Sequence, residues 1–317
     1  MVLLQESCGV DLSGPIGQSP SLSAVQSETT HVINNLQINN SPTKSSKYTA
    51  PVIPNLTGLK LRKTIIEQSK RAGVGHIGSA LSVADIVACL YGKVINAKSP
   101  RDPERDRFVL SKGHAALALY AAFAERGWIT NEQLNTFCGD GSHLGVHPEH
   151  ALPGVDFATG SLGQGLSFGV GAALAAKRQK TDRRVFVLLS DAECNEGSVW
   201  EAIMFAAQHK LNNLFAIVDL NGQQAFGYTK DVLNLSPMDE RWKIFGWDVH
   251  NVDGHDEDAM AEVIKNHSGV GDKPHVLIAH TTFGKGVSYM EHQIKWHYSP
   301  LNDAEYAQAM SELERQS

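Results

Sequence analysis

Cysteine is scarce: four in 317 residues, at positions 8, 89, 138 and 194. Their spacing fits neither a zinc site nor a disulfide framework, so free thiols and a cytoplasmic location are expected. No stretch reaches about 18 uninterrupted apolar residues, which excludes an ordinary membrane span. The first residues, MVLLQESCGVDLSGPIG, lack a basic segment followed by a long apolar core, so no secretory signal is expected there. Basic residues are outnumbered, 28 against 34 acidic ones, for a formal net charge of −6. Without a basic field, a nucleic acid is not an expected partner. A small anion remains open, because backbone amides and a metal hold phosphates without net positive charge. Hydrophobic residues make up 42% and charged residues 20%. That balance excludes a wholly disordered chain, a collagen and a coiled coil, and the length suits one large domain or two modest ones.

What is present divides the chain in two. Residues 1–50 are rich in Ser, Thr, Asn, Gln and Pro. Such a segment buries too little apolar surface to offset its ordering entropy. It reads either as a disordered N-terminal extension or as a docking arm. Beyond it, Leu61, Ile65 and Ile66 recur at helical spacing before Gly73. Ser82 and Asp85 resemble a capping box opening a helix through Leu90. Phe108-Val109-Leu110 is a strand or a helix approach. Helices are expected over Ala115–Arg126 and, rich in small residues, over Gly163–Gln179. Strand runs at Val185–Leu189, Leu214–Val218, Trp247–Val252 and His275–Ala279 alternate with helical stretches at Val199–His209, Asp239–Phe245 and Asp256–Asn266. This alternation predicts one α/β domain over residues 51–317, with a mostly parallel central sheet and helices on both faces.

In such sheets ligands sit beyond the carboxyl ends of the strands. Two polar segments emerge there, SDAECNEGSVWEA from Ser190 and DLNGQQAFG from Asp219. Asp191 and Asn221 lie one strand–helix–strand crossover apart and leave the same edge of the sheet. A carboxylate, a side-chain amide and a backbone carbonyl are hard oxygen ligands suited to Mg²⁺ or Ca²⁺, and a diphosphate would complete the shell. A helix beginning near Gly197 would add amides and dipole.

The stretch from Asp191 to Asn221 resembles the thiamine-diphosphate-binding motif, Gly-Asp-Gly followed at a distance by Asn. With GHIGS at Gly75–Ser79, LSKGHAALALY at Leu110–Tyr120, GVHPE at Gly145–Glu149, TGSLGQGL at Thr159–Leu166, and GKGVS and KWH between Gly284 and His297, the domain is similar to the N-terminal half of transketolases. One departure is visible: Ala192 stands where the family has its second glycine. The resemblance implies a thiamine-diphosphate-binding fold. It implies thiamine diphosphate as cofactor and Mg²⁺ (Ca²⁺ or Mn²⁺ substituting) held by Asp191, Asn221 and the backbone carbonyl of Gln223. Ala192 would offer its amide to the diphosphate, and Gly160, Leu162 and Gly163 would meet the cofactor rings. The bland reading of that glycine turn is tight helix packing. Glu196 reads either as a solvated carboxylate at a helix start or, as the resemblance implies, as part of a carboxylate relay at a subunit contact.

Four of the 14 histidines fall inside these motifs. The resemblance implies that His76 and His297 meet the donor's carbonyl or C1 hydroxyl, His147 the hydroxyls near the reacting carbon, and His114 the cofactor side of the pocket. Neutral imidazoles can accept or donate protons near physiological pH, as cleavage of a ketose carbon–carbon bond requires. His143, His150, His209, His250, His255, His275 and His280 are read as structural. Transketolases carry a second domain that holds the cofactor's pyrimidine. The expectation is therefore a transferase acting as the diphosphate-binding subunit of a split transketolase. A separate pyrimidine-binding subunit, self-association into a heterotetramer, and sugar phosphate substrates follow from that. A non-catalytic homologue serving as a binding or regulatory partner is one rival. The α subunit of a 2-oxo acid dehydrogenase is another, disfavoured by the run of motif histidines; a deoxyxylulose-phosphate synthase half is a third. A dinucleotide-binding domain is excluded, because GSLGQG follows no strand.

Overall fold

The computed structural model describes residues 52–316; the polar segment assigned to residues 1–50 lies outside the described residues, as does Cys8. The apolar runs form the sheet: β1 (Arg107–Leu110), β2 (Val185–Ser190), β3 (Leu214–Leu220), β6 (Asp248–Asp253) and β7 (His275–His280). A small antiparallel hairpin, β4 (Gln223–Gln224) with β5 (Gly227–Tyr228), follows β3. The five long strands lie in the order β1-β2-β3-β7-β6, all neighbours parallel. The run at Phe108 is thus a strand. Strand order reverses between β3 and β7, which makes that crevice the switch point where such sheets bind ligands.

Along each strand, alternate residues feed two cores. Phe186, Leu188, Phe215, Ile217, Leu277 and Ala279 face one side. Val187, Leu189, Ala216, Val218, Val276 and Ile278 face the other. The first face is covered by α1 (Gly58–Ala72), α2 (Ile77–Ser82), α3 (Ala84–Cys89) and α4 (Ala116–Glu125). The one-turn α5 (Asn131–Leu134) follows α4. The second face is covered by α6 (Gly165–Arg178) and α7 (Gly197–Gln208), and, beyond the one-turn α8 (Thr229–Val232), by α9 (Met238–Ile244). α10 (Glu257–His267) returns to the first face, followed by α11 (Lys295–Tyr298) and α12 (Asp303–Glu314). Helix ends follow local chemistry. Thr57 caps α1, and Gly73, left-handed at φ 65°, closes it. Asn302 and Glu305 form a capping box on α12. Among the described residues no helix is long and apolar enough to cross a membrane.

Ser82 and Asp85 do not form the expected capping box. The helix breaks at Val83, and neither side chain caps its resumption. Both are taken by tertiary partners instead. Ser82 Oγ donates to Asp219 Oδ1 at 2.8 Å. Asp85 accepts a two-pronged contact from Arg62, at 2.7 and 3.0 Å, and one from His255 Nδ1 at 2.7 Å. His255 Nε2 accepts from the Thr282 amide, which leaves Nδ1 as the nitrogen that donates to Asp85. Arg62 and Asp85 are both buried. Truncating one partner strands the other charge in a dry setting, a cost of about 3–5 kcal/mol. Asp85→Ala is therefore expected to lower the urea unfolding midpoint by that free energy, and an unchanged midpoint would discount the cluster as a structural staple.

Candidate functional site

Pairing of Ser190 with Asp219 in the β2–β3 register sets the next residues of both strands side by side. Asp191, fully buried, accepts from its neighbour's amide at Ala192 (2.8 Å), from the Gly222 amide (2.9 Å) and from Thr229 Oγ1 (3.0 Å). Burial and the nearby Asp219 charge push its carboxyl up to about 6. Asn221 turns its amide nitrogen to Asp219 (2.9 Å) and Ser82 (3.2 Å), while its oxygen accepts from the Gln223 amide at 2.9 Å. Gln223 spends its side-chain nitrogen on the His292 carbonyl at 2.6 Å.

These groups fit a hard divalent cation. Asp191 and Asp219 are buried carboxylates, and the ammonium of Lys112, itself buried, is bonded to Asp219. Asp191 keeps a raised carboxyl for want of such a cation of its own. No group of three or more His, Cys, Asp or Glu among the described residues is arranged as a metal site. The expected donor set of one carboxylate, an amide and a carbonyl, with waters and phosphate oxygens making up the rest, is of a different kind. Ala192 sits in the turn Ala192–Asn195 and is not among the left-handed residues. Alanine therefore carries no conformational cost there.

Two side chains that sequence reasoning passes over tie this corner together. Glu193, fully buried, accepts from Ser111 Oγ, from the Gly163 amide at 2.8 Å and from the Ser190 amide at 3.4 Å. It thereby joins the glycine turn, the loop after β1 and the end of β2. Asp219 is the second; its partners are Lys112, Ser82, Thr281 and Asn221. Both lie beside the recognised motif residues, but full burial of a carboxylate leaves no mark in the sequence. Gly163 is left-handed at φ 87°, and a Cβ there would come within 2.6 Å of Glu196 Cβ. Glu196 itself is the exposed residue that opens α7, with no side-chain cap bond. The structure brings it to the glycine turn. Leu162 beside it is half-buried.

The motif histidines converge. The rings of His76, His114 and His297 form a triangle with centroids 5.4, 5.3 and 5.4 Å apart. His147 lies near enough to lower the basicity of His76 and His114, and its ring is 3.2 Å from where a Cβ on Gly160 would stand. His76 is left-handed at φ 61°, a conformation costing about 1–2 kcal/mol in a residue with a side chain. Its amide donates to the His297 carbonyl at 3.3 Å. Nδ1 of His76 and Nδ1 of His297 are buried without a hydrogen-bond partner. Burial, then the neighbouring His76 ring and the Lys112 charge, bring His297 down to about 4. The same desolvation holds His76 below its usual value and, reinforced by Lys112, holds His114 well below it. Burial thus favours the neutral form of His76, His114 and His297, with Nδ1 of His76 and of His297 unpartnered. Elsewhere, His255 is structural as expected, and His250 and His275 pack with His267 away from this site.

Comparison with known proteins agrees with this geometry. Residues 58–316 match the family described as transketolase, thiamine diphosphate binding domain. One subunit of the apulose-4-phosphate transketolase of Phocaeicola vulgatus is 42% identical over 80% of this chain and 91% of that protein. The 6-deoxy-6-sulfo-D-fructose transketolase subunit SqwG of a Clostridium species is 38% identical over 81% and 94%. The crystal structure of transketolase from Campylobacter jejuni superposes with a TM-score of 0.77 at 31% identity, covering 83% of this chain but 43% of that one. The chain thus spans under half the length of that solved transketolase.

An imidazole whose basicity is depressed on folding binds fewer protons than in the unfolded chain between about pH 6.5 and about pH 4. Stability is then full above that window and falls as pH drops through it. His297→Gln is expected to flatten the decline of the urea midpoint across this range; an unaltered slope would show that His297 is not buried as a neutral ring.

Proposed function

Because the chain belongs to the transketolase family, we propose that it is the diphosphate- and magnesium-binding subunit of a two-chain transketolase. It moves a two-carbon ketol unit from a ketose donor to an aldose acceptor. The observation that carries this reading is the triangle of imidazoles, two of them with a buried unpartnered nitrogen, whose neighbouring charge, Lys112, is also felt at Asp191. Two relatives are named for substrates bearing a phosphate or a sulfo group, which supports a donor with a terminal anion.

Asp191, Asn221 and the Gln223 carbonyl would hold Mg²⁺, with α7's first amides turned to the diphosphate; the Ala192 amide, expected to do the same, donates instead to Asp191 Oδ1 and would have to leave that bond to meet it. Gly160, Leu162 and Gly163 would line the rings. Thiamine diphosphate, when bound, supplies a thiazolium ring as electron sink. The chain's own part is to bind, orient and move protons. Nδ1 of His76 and Nδ1 of His297 meet donor hydroxyls and carbonyl, giving or taking a proton as oxygen charge changes. His114 serves the cofactor side and His147 the hydroxyls next to the reacting carbon. Glu196, exposed at the start of α7, would contact a neighbouring protomer in a carboxylate relay. We assign a pyrimidine-binding polypeptide as partner, pairing of two such units, and a cytosolic location that keeps Cys89, Cys138 and Cys194 as free thiols.

Asp191→Ala is expected to abolish Mg²⁺-dependent thiamine diphosphate binding in calorimetry, and unchanged affinity would remove the ligand assignment. Ketol transfer should require the partner polypeptide. Robust turnover by this chain alone with cofactor and Mg²⁺ would refute the two-chain reading.

A further inference from the structure

We propose that Asp219 is a positioning residue for the cation site: it aims the Asn221 amide and holds Lys112 away from Asp191. The inference rests on the cofactor reading above. Asp219 is fully buried at the end of β3, in the crevice between β3 and β7. Its two oxygens take four donors from four segments: Lys112 Nζ from the loop after β1, Ser82 Oγ from the end of α2, Thr281 Oγ1 from just beyond β7, and Asn221 Nδ2.

An amide presents either its oxygen or its nitrogen to a cation, and only the oxygen can ligate. The Gln223 amide holds the oxygen end. Asp219 Oδ2 holds the nitrogen end, because an anion accepts only from the amide nitrogen, and Ser82 Oγ stands at the same nitrogen. The oxygen is thereby turned to the side where the Gln223 amide also points. Lys112 poses the second problem. Its ammonium is buried, and its charge is felt at Asp191. Unclaimed, it would take Asp191 as counter-ion and compete with the metal. The bond to Asp219 occupies it. One carboxylate that need never touch the ion thus orients one ligand and keeps the chain's own ammonium off the other. Partners of this kind typically set metal affinity by about 10–100-fold.

The test uses the full chain and Mn²⁺ as probe, read by electron paramagnetic resonance, with Mg²⁺ and thiamine diphosphate followed by calorimetry. Asp219→Asn is expected to weaken Mn²⁺ binding by about 10–100-fold, and adding Lys112→Met to recover most of it. Asp219→Leu with Lys112→Met leaves the Asn221 nitrogen without its anionic acceptor and should stay weak, with its unfolding midpoint measured beside that of the Asn–Met pair. If the Leu–Met pair does not fold, the Asn variant with and without Lys112→Met decides the matter. A purely structural Asp219 would lower the unfolding midpoint and leave cation affinity within about twofold in every folded variant, which overturns the proposal. Unmutated protein that takes up neither Mn²⁺ nor cofactor overturns the cofactor reading instead, and this inference with it.

Discussion

Three carboxylates, Asp191, Glu193 and Asp219, are fully buried at the ends of two neighbouring strands, and Lys112 is the buried cation bonded among them. Desolvating an anion is costly, and the cost is relieved by hydrogen bonds, by protonation or by positive charge. Glu193 is met by Ser111 and two amides. Asp219 is met by Lys112 and three further donors. Asp191, like Glu193, has two amides and a hydroxyl; burial raises both carboxyls, and at Asp191 the neighbouring Asp219 charge adds to it. The deficit is of the size and hardness that a divalent cation removes.

The histidine triangle presents the complementary case. Three imidazoles cannot all be charged in so small a space, and Lys112 adds to the repulsion. Burial and this crowding keep them neutral, which is the form able both to accept and to donate a proton. The left-handed backbone at His76 ties that ring to the segment carrying His297. Strain at one residue thus supports the mutual placement of two that come from opposite ends of the domain.

Much of this is legible in the sequence. Continuous apolar runs locate β2, β3 and β7 because a strand buried on both faces has no polar side to show; β6, at the edge of the sheet, mixes polar and apolar residues and is mostly half-buried. The crossover from Asp191 to Asn221 sets both at neighbouring strand ends because parallel strands share a carboxyl edge. The run at Phe108 is ambiguous because four residues are too short for periodicity to separate strand from helix. Ser82 and Asp85 mislead because a capping box is a local pattern, and tertiary partners override it: Asp219 for one, Arg62 and His255 for the other. Glu193 and Asp219 are silent for a related reason. A carboxylate in a loop reads as solvated unless its donors are known, and most of those donors lie tens of residues away in the chain.

The rival of a non-catalytic homologue can be weighed on the same physics. Each buried polar atom left without a partner costs about 1–3 kcal/mol, and His76 and His297 each carry one. Apolar rings of similar size would fill the same space without that cost. A left-handed non-glycine residue and an under-compensated Asp191 add to the sum. None of these features helps the domain fold; the two cores on either face of the sheet do that. A chain kept only as a scaffold has no use for them, whereas a divalent cation would relieve Asp191 and ligand hydroxyls would satisfy the two ring nitrogens. Ala192, the one departure from the family's motif, leaves that balance unchanged because its backbone is not left-handed.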